Sequence, residues 1–178
     1  MDKYLGDDDK TAQFEAMAMP HLDAAYNLAR WLTRNEHDAD DLVQSAYLRA
    51  FRFADGFRGG DVRAWLLTIV RHTYYSALRD GQAQRGDVSF DETLHGDDES
   101  ADPAAIAASR DTGRTVNAAL AQLPQAFREV LVLKEMDDLS YKQIAQVTET
   151  PIGTVMSRLA RARKLLLAYL KHGGQDGI

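Results

Sequence analysis

Residues 140–158, SYKQIAQVTETPIGTVMSR, contain two helix starts separated by a turn. Ser140 with Gln143 three positions later is the pattern of a capping box. The hydroxyl accepts from the Gln143 amide while the Gln143 side chain accepts from the Ser140 amide. Ile144 and Val147 then share an inner face, and Ala145 is small enough for a second helix to cross closely. Thr150-Pro151 is the second start, a hydroxyl cap followed by a proline in the first turn, where its missing N–H has no partner to lose. Only a turn around Thr148-Glu149 lies between, the short connection of a helix-turn-helix.

The second helix continues through LARARK and divides into two faces. Val155, Leu159, Ala162, Leu166 and Tyr169 recur at helical spacing and point inward. Gly153, Met156, Ser157, Ala160, Arg161 and Lys164 form the other face, flanked by Arg158 and Arg163. From Pro151 to His172 the chain carries five basic residues and no acid. A helix of this kind fits the major groove, where Arg pairs with guanine edges and Ser with several bases. Neighbouring Arg and Lys neutralise phosphates, and amides at the helix start can hold one. A helix-turn-helix by itself leaves open a dimeric repressor or activator.

The rest of the chain sets the context. The 178 residues carry a formal net charge of −6, 27% charged and 45% hydrophobic residues, and no cysteine. This is the composition of a soluble globular protein, and it excludes disulfides, thiolate metal sites and thiol nucleophiles. No apolar run is long enough to span a bilayer. MDKYLGDDDK at the start is acidic and lacks the apolar core of a secretory signal, so a cytoplasmic protein is expected. The five histidines are scattered, no phosphate-binding glycine loop or nucleophile elbow is present, and neither an enzyme nor a metal or cofactor site is expected. A metal site at His37, Asp40 and Asp41 is discounted, because acids there serve equally to favour a helix start.

Charge is unevenly placed. Arg49 to Arg79 holds six basic residues against two acids, and Asp80 to Asp111 holds nine acids against two basic residues. The middle, DGQAQRGDVSFDETLHGDDESADP, is rich in Gly, Ser and Asp and lacks apolar periodicity, so it cannot bury enough surface to offset its ordering entropy. The expected fold is all-α: two small helical domains at 11–80 and 112–172, an acidic flexible linker at 81–111, and tails at 1–10 and 173–178. The acidic linker reads first as a solvated tether; the alternative is that its charge discourages the free protein from binding DNA.

In the first domain Leu22, Ala25, Tyr26, Ala29 and Leu32 form one stripe, with a break or kink expected at Pro20. Leu42, Val43, Ala46, Tyr47, Ala50 and Phe51 form a second, with Asp38 as its cap. Val62, Trp65, Leu66, Ile69, Val70 and Thr73 form a third, capped by Asp61. Opposite that last stripe stand Thr68, Arg71, His72, Tyr75 and Arg79, basic and aromatic groups interleaved as phosphate binding and base stacking require. The preceding FRGGD, residues 57–61, has two glycines where backbone can approach a nucleotide closely. In the second domain Val116, Leu120 and Leu123 precede Pro124, and Phe127, Val130 and Leu131 follow it.

DADDLVQSAYLRAFRF with FRGGDVRAWLLTIVRHTYYSALRD resembles regions 2.2 to 2.4 of bacterial sigma factors, and LPQAFREVLVLKEMDDLSYKQIAQVTETPIGTVMSRLARARKLL resembles region 4. Both blocks, in this order across about residues 11–170, resemble the extracytoplasmic-function (ECF) class. The resemblance implies a sigma region 2 helical bundle and a region 4 helix-turn-helix. It implies a non-catalytic initiation factor whose partners are core RNA polymerase, through its β and β′ subunits, promoter DNA and a regulating anti-sigma factor, with no small-molecule substrate. Asp40, Asp41, Leu42, Val43 and Gln44 then match the segment that docks on the polymerase, with Val43 as an apolar patch beside the acceptors. Arg58, Gly59, Asp61, Arg71, His72, Tyr75 and Arg79 are the implied −10 contacts. Pro151, Gly153, Thr154, Met156, Ser157, Arg158, Arg161 and Lys164 are the implied −35 contacts. Met156 stands where many family members carry Arg, so no promoter sequence is carried over.

Overall fold

Helix ends in this chain fall where a proline, a left-handed residue or a polar cap interrupts the backbone ladder. The computed structural model describes residues 5–85 and 108–173, and every regular element among them is helical. Contacts divide the chain into two units, an N-terminal one drawn from residues 1–95 together with 146–148 and a C-terminal one drawn from residues 96–145 and 149–178.

In the N-terminal unit α1 spans Leu5–Ala18, and a short 3-10 turn at Met19–His21 leads into α2, Leu22–Thr33. The interruption lies at Pro20, as expected from a residue that cannot continue the hydrogen-bond ladder. Arg34, at φ 58°, closes α2 in the left-handed region, and α3 follows as Glu36–Phe53. The cap of α3 is Asn35 and not Asp38: the Asn35 side-chain oxygen accepts from the Asp38 amide at 3.1 Å. The left-handed turn at Arg34 brings the chain into extended backbone at Asn35, one position short of the acids. Glu36 and Asp38 therefore sit in the first turn, where they complement the helix dipole. A 3-10 turn at Ala54–Gly56 and a loop then deliver the chain to α4, Val62–Arg85.

Helices α2, α3 and α4 pack on one another through Leu28, Leu32, Leu42, Val43, Leu66, Leu67 and Val70, with Ala25, Ala29, Ala39, Ala46 and Ala64 buried among them. The alanines let helix backbones approach, and each fully buried Leu contributes about 1.5–3 kcal/mol. On α4 the inner face is Ala64, Leu66, Leu67, Val70 and Thr73. Trp65 and Ile69, expected on that stripe, are half-buried and belong to a neighbouring cluster built on Phe14, Ala18, Ala50 and Leu66. There Phe14 of α1 meets Phe51 and Tyr47 edge-on, with ring centres 5.3 and 6.3 Å apart. The Tyr47 hydroxyl donates to the Ala18 carbonyl at 2.9 Å, and burial pushes its pKa up to about 12. The helix thus extends into the stretch expected as a tail.

In the C-terminal unit α5 spans Ala108–Gln122, α6 Gln125–Glu135, α7 Tyr141–Thr148 and α8 Ile152–Gly173. Pro124 separates the first two, and the buried Arg128 ties them together. Its guanidinium donates to the carbonyls of Leu120 at 3.1 Å, Ala121 at 3.1 Å and Leu123 at 2.7 Å. The Leu120 carbonyl also accepts from the Leu123 amide at 3.1 Å, and Arg128 supplies donors that the end of α5 lacks for the other two. Residues Arg128 through Leu133 are consecutively buried, so α6 is the central helix of the unit. Val155, Leu159 and Ala162 of α8 are buried in the same unit, as is Ile144 of α7, and Val147 of α7 is buried as well.

The expected linker at 81–111 is helical at both ends, since α4 runs to Arg85 and α5 begins at Ala108. Its acidic middle, 86–107, lies outside the described residues, as do 1–4 and 174–178. No helix among the described residues is long and apolar enough to cross a membrane.

Two outcomes follow from these contacts. Arg128→Met keeps the aliphatic length but removes the side-chain donor of the Ala121 and Leu123 carbonyls, and is expected to lower unfolding free energy by about 2–3 kcal/mol in urea titrations of the full chain. Tyr47 holds its proton more tightly folded than unfolded. Its contribution is therefore complete below pH 10 and is lost as pH rises towards about 12. In Tyr47→Phe, alkaline thermal denaturation should lose that part of its pH dependence.

Candidate nucleic-acid interface

The helix-turn-helix is built as its sequence pattern requires. Ser140 Oγ accepts from the Gln143 amide at 3.1 Å, and Gln143 Oε1 accepts from the Ser140 amide at 2.7 Å, which closes the capping box. Glu149 ends α7 in the left-handed region at φ 54°, and the Thr150 amide returns to the Ala145 carbonyl at 3.1 Å. The Pro151 carbonyl accepts from Thr154 at 2.9 Å and Val155 at 3.1 Å, so α8 starts at Ile152, one residue later than a Thr150 cap would place it.

All six residues expected on the outer face of α8 (Gly153, Met156, Ser157, Ala160, Arg161 and Lys164) are exposed, as is Pro151. Thr154 and Arg158 are half-buried at its edges, and Ser157 Oγ donates to the Thr154 carbonyl at 3.1 Å. Arg163 does not flank this face as a spare cation. Its guanidinium lies 2.9 Å from Glu135 Oε1, and that hydrogen bond pushes its pKa further up. The sequence pattern missed this pair because Glu135 lies on another helix.

A second polar surface lies on the N-terminal unit. Gly59 and Gly60 take φ of 87° and 107°, conformations that side chains disfavour, and a Cβ at either would meet open space. The glycines are therefore required by backbone conformation rather than by crowding. Asp61 Oδ1 accepts from the Ala64 amide at 2.9 Å, the expected cap of α4. Phe57 packs on Trp65 with ring centres 4.9 Å apart. One and a half turns further on, the Arg71 guanidinium lies over the Tyr75 ring at 4.7 Å, and Tyr74 meets Tyr75 edge-on at 5.2 Å. Arg58, His72 and Arg79 are exposed, while Arg71, Tyr75 and Asp61 are half-buried. The Thr68 hydroxyl is directed to its own helix, donating to the Ala64 carbonyl at 2.7 Å. The surface thus combines cations with an aromatic face, the chemistry that holds phosphates and stacks unpaired bases.

On α3 the structure separates the five residues expected to dock on a partner. Asp40, Asp41 and Gln44 are exposed, whereas Leu42 and Val43 are buried in the three-helix core, so Val43 presents no apolar patch. Leu48, 63% accessible and one turn beyond Gln44, is the exposed apolar group nearest these acceptors, and Phe53 at the end of the helix is exposed as well. An apolar residue at i+4 and i+7 from polar surface positions was the available signal. The C-terminal unit also holds an apolar cavity of about 350 Å³ between Val116, Leu120, Leu131, Met136, Leu166 and Leu167, with Glu135 and Arg163 at its wall. Among the described residues no group of three His, Cys, Asp or Glu side chains is arranged to hold a metal ion.

Residues 17–84 match the family described as Sigma-70 region 2, and residues 114–166 match Sigma-70, region 4. The ECF RNA polymerase sigma factor SigE of Mycolicibacterium smegmatis is 31% identical over 175 residues, covering 96% of this chain and 66% of that protein. The ECF RNA polymerase sigma factor EcfG of Rhodopseudomonas palustris is 35% identical over 169 residues, covering 89% of this chain and 84% of that protein. Among solved structures, the sigma factor RpoE in complex with the anti-sigma factor NepR from Bartonella quintana matches with a TM-score of 0.68 and 28% identity, covering 89% of this chain and 97% of that one.

Gly60→Ala isolates the backbone requirement of the loop. It is expected to destabilise the protein by about 1–2 kcal/mol in denaturant titrations, whereas Gly56→Ala, at a position where φ is not positive, should change stability by less than half of that.

Proposed function

This chain belongs to the sigma-70 family, in its ECF class, and on that premise we propose a division of labour between its two units. An ECF sigma factor binds core RNA polymerase and promoter DNA, and is regulated by an anti-sigma factor. It acts as an initiation factor rather than as a catalyst. In this chain the region within residues 11–80 engages polymerase and the −10 element, and the region within 112–172 reads the −35 element. The protein works in the cytoplasm, where polymerase and promoter are found.

The observation that carries the reading is the exposed outer face of α8, six residues without an acid, on a helix joined by a three-residue turn to α7, whose start is a closed capping box. Ser157, Arg161 and Lys164 are the groups with reach to bases and phosphates, with Pro151, Gly153, Thr154, Met156 and Arg158 around them. The cation–aromatic surface of Arg71 and Tyr75, with Arg58, Gly59, Asp61, His72 and Arg79, suits DNA whose bases have left the stack. Extruding a base costs a few kcal/mol, and capture by stacking and phosphate contacts offsets this without any nucleotide hydrolysis. Asp40, Asp41 and Gln44 offer acceptors to a basic surface of the polymerase, and Leu48 supplies the apolar contact beside them.

Reconstitution with core RNA polymerase, followed by sequencing of run-off transcripts from genomic DNA, tests this reading. New start sites sharing two upstream elements are expected; absence of core binding and of new starts rejects it. Arg161→Ala should weaken binding to the −35 duplex about tenfold, within the range of one lost base contact, and leave core affinity unchanged. Asp41→Ala should do the reverse, and an exchange of the two losses would overturn the assignment of units to partners.

A further inference from the structure

As a sequence, the acidic start of the chain has no role in DNA recognition. The structure links it to the loop at residues 57–61. Lys10 on α1 places its ammonium 2.8 Å from Asp55 Oδ2, across 45 positions of sequence. The same ammonium lies 5.3 Å from the centre of the Phe51 ring. The ring supports the aliphatic stem and the carboxylate orients the charge, so the lysine is held from two sides.

Asp55 occupies the 3-10 turn Ala54–Gly56, and the Phe57 amide bonds back to the Ala54 carbonyl at 3.1 Å. This turn delivers the chain into the loop. The far end of the loop is fixed by α4 itself, through the Asp61 cap and the bond from the Trp65 amide to the Asp61 carbonyl at 3.0 Å. Between the two ends, Gly59 and Gly60 have no side chain to anchor, and the space around them is open. Phe57 is also seated on Trp65, with ring centres 4.9 Å apart, so it is the exposed Arg58 whose direction depends most on how firmly the turn is held.

We propose that Lys10 is a positioning residue for −10 recognition: through Asp55 it holds the leading end of the 57–61 loop, without touching DNA. The proposal rests on the assignment of that loop to the −10 element made above. Both partners retain solvent, Asp55 with 76% of its side chain accessible and Lys10 with 34%, so the effect is graded.

The test uses holoenzyme assembled from core polymerase and the full chain, with a single-stranded oligonucleotide of the −10 element taken from the mapped start sites. Lys10→Ala and Asp55→Ala should each weaken oligonucleotide binding about two- to fivefold, the range of an exposed ion pair. Core affinity and binding to the −35 duplex should not change. Lys10→Arg should bind as wild type, and the reversed pair Lys10→Glu with Asp55→Lys should recover most of the loss. A purely structural role would lower all three affinities together and would show no recovery on reversal; either result overturns the proposal. Wild-type binding of the oligonucleotide with an unaltered Lys10→Ala also overturns it, while leaving the loop assignment standing. No binding by wild-type holoenzyme overturns the loop assignment and this proposal with it.

Discussion

Arg128 enters the C-terminal unit as a charge that must be matched, and the way it is matched organises the helices around it. The residue is 2% accessible, and its guanidinium donates to three carbonyls at the end of α5. A helix terminus buried without such donors would leave several polar groups stranded at about 1–3 kcal/mol each. With them, α5 and α6 can meet directly across Pro124, and α6 can be buried on every side from Arg128 to Leu133. That central helix is the template on which α8 is seated by Val155, Leu159 and Ala162. The outer face of α8 is therefore presented by the same packing that consumes its inner face.

The N-terminal unit reaches the same end without a buried charge. Alanines at the crossings of α2, α3 and α4 bring the backbones close, and the larger residues fill what remains. The polar residues of α3 and α4 are then left outside by default. Two of these surfaces acquire further definition from local contacts. Arg71 is oriented by the Tyr75 ring, and the loop before α4 is set by two glycines at positive φ and by the Asp61 cap. Functional groups on such supports lose less freedom when a ligand arrives, which is the physical advantage of placing them on a packed helix.

Much of this was legible in the residue order because the deciding interactions are local. The capping box at Ser140 and Gln143, the break at Pro20, the cap at Asp61 and the outer face of α8 each depend on residues a turn apart. The differences have two causes, one in the local backbone and one in packing between helices. Asp38 was displaced as the cap by Asn35 because a left-handed Arg34 changed where the chain re-enters the helix. Val43 went into the core because two neighbouring helices, not one, pack on α3. Arg163 turned to Glu135, and Lys10 to Asp55, through pairings that span 28 and 45 positions. Helical periodicity contains no information about partners so far apart.

The sequence by itself determined the helical class, the two helix-bearing regions, the helix-turn-helix and the basic face that makes DNA its natural ligand. These follow from periodicity, capping and charge, all of which act within a few residues. Tertiary structure alone decided which cations remain available to a phosphate, which apolar residues stay at the surface, and which distant segment supports the loop before α4. Those outcomes depend on burial and on pairing between helices, and both are set only when the helices have packed.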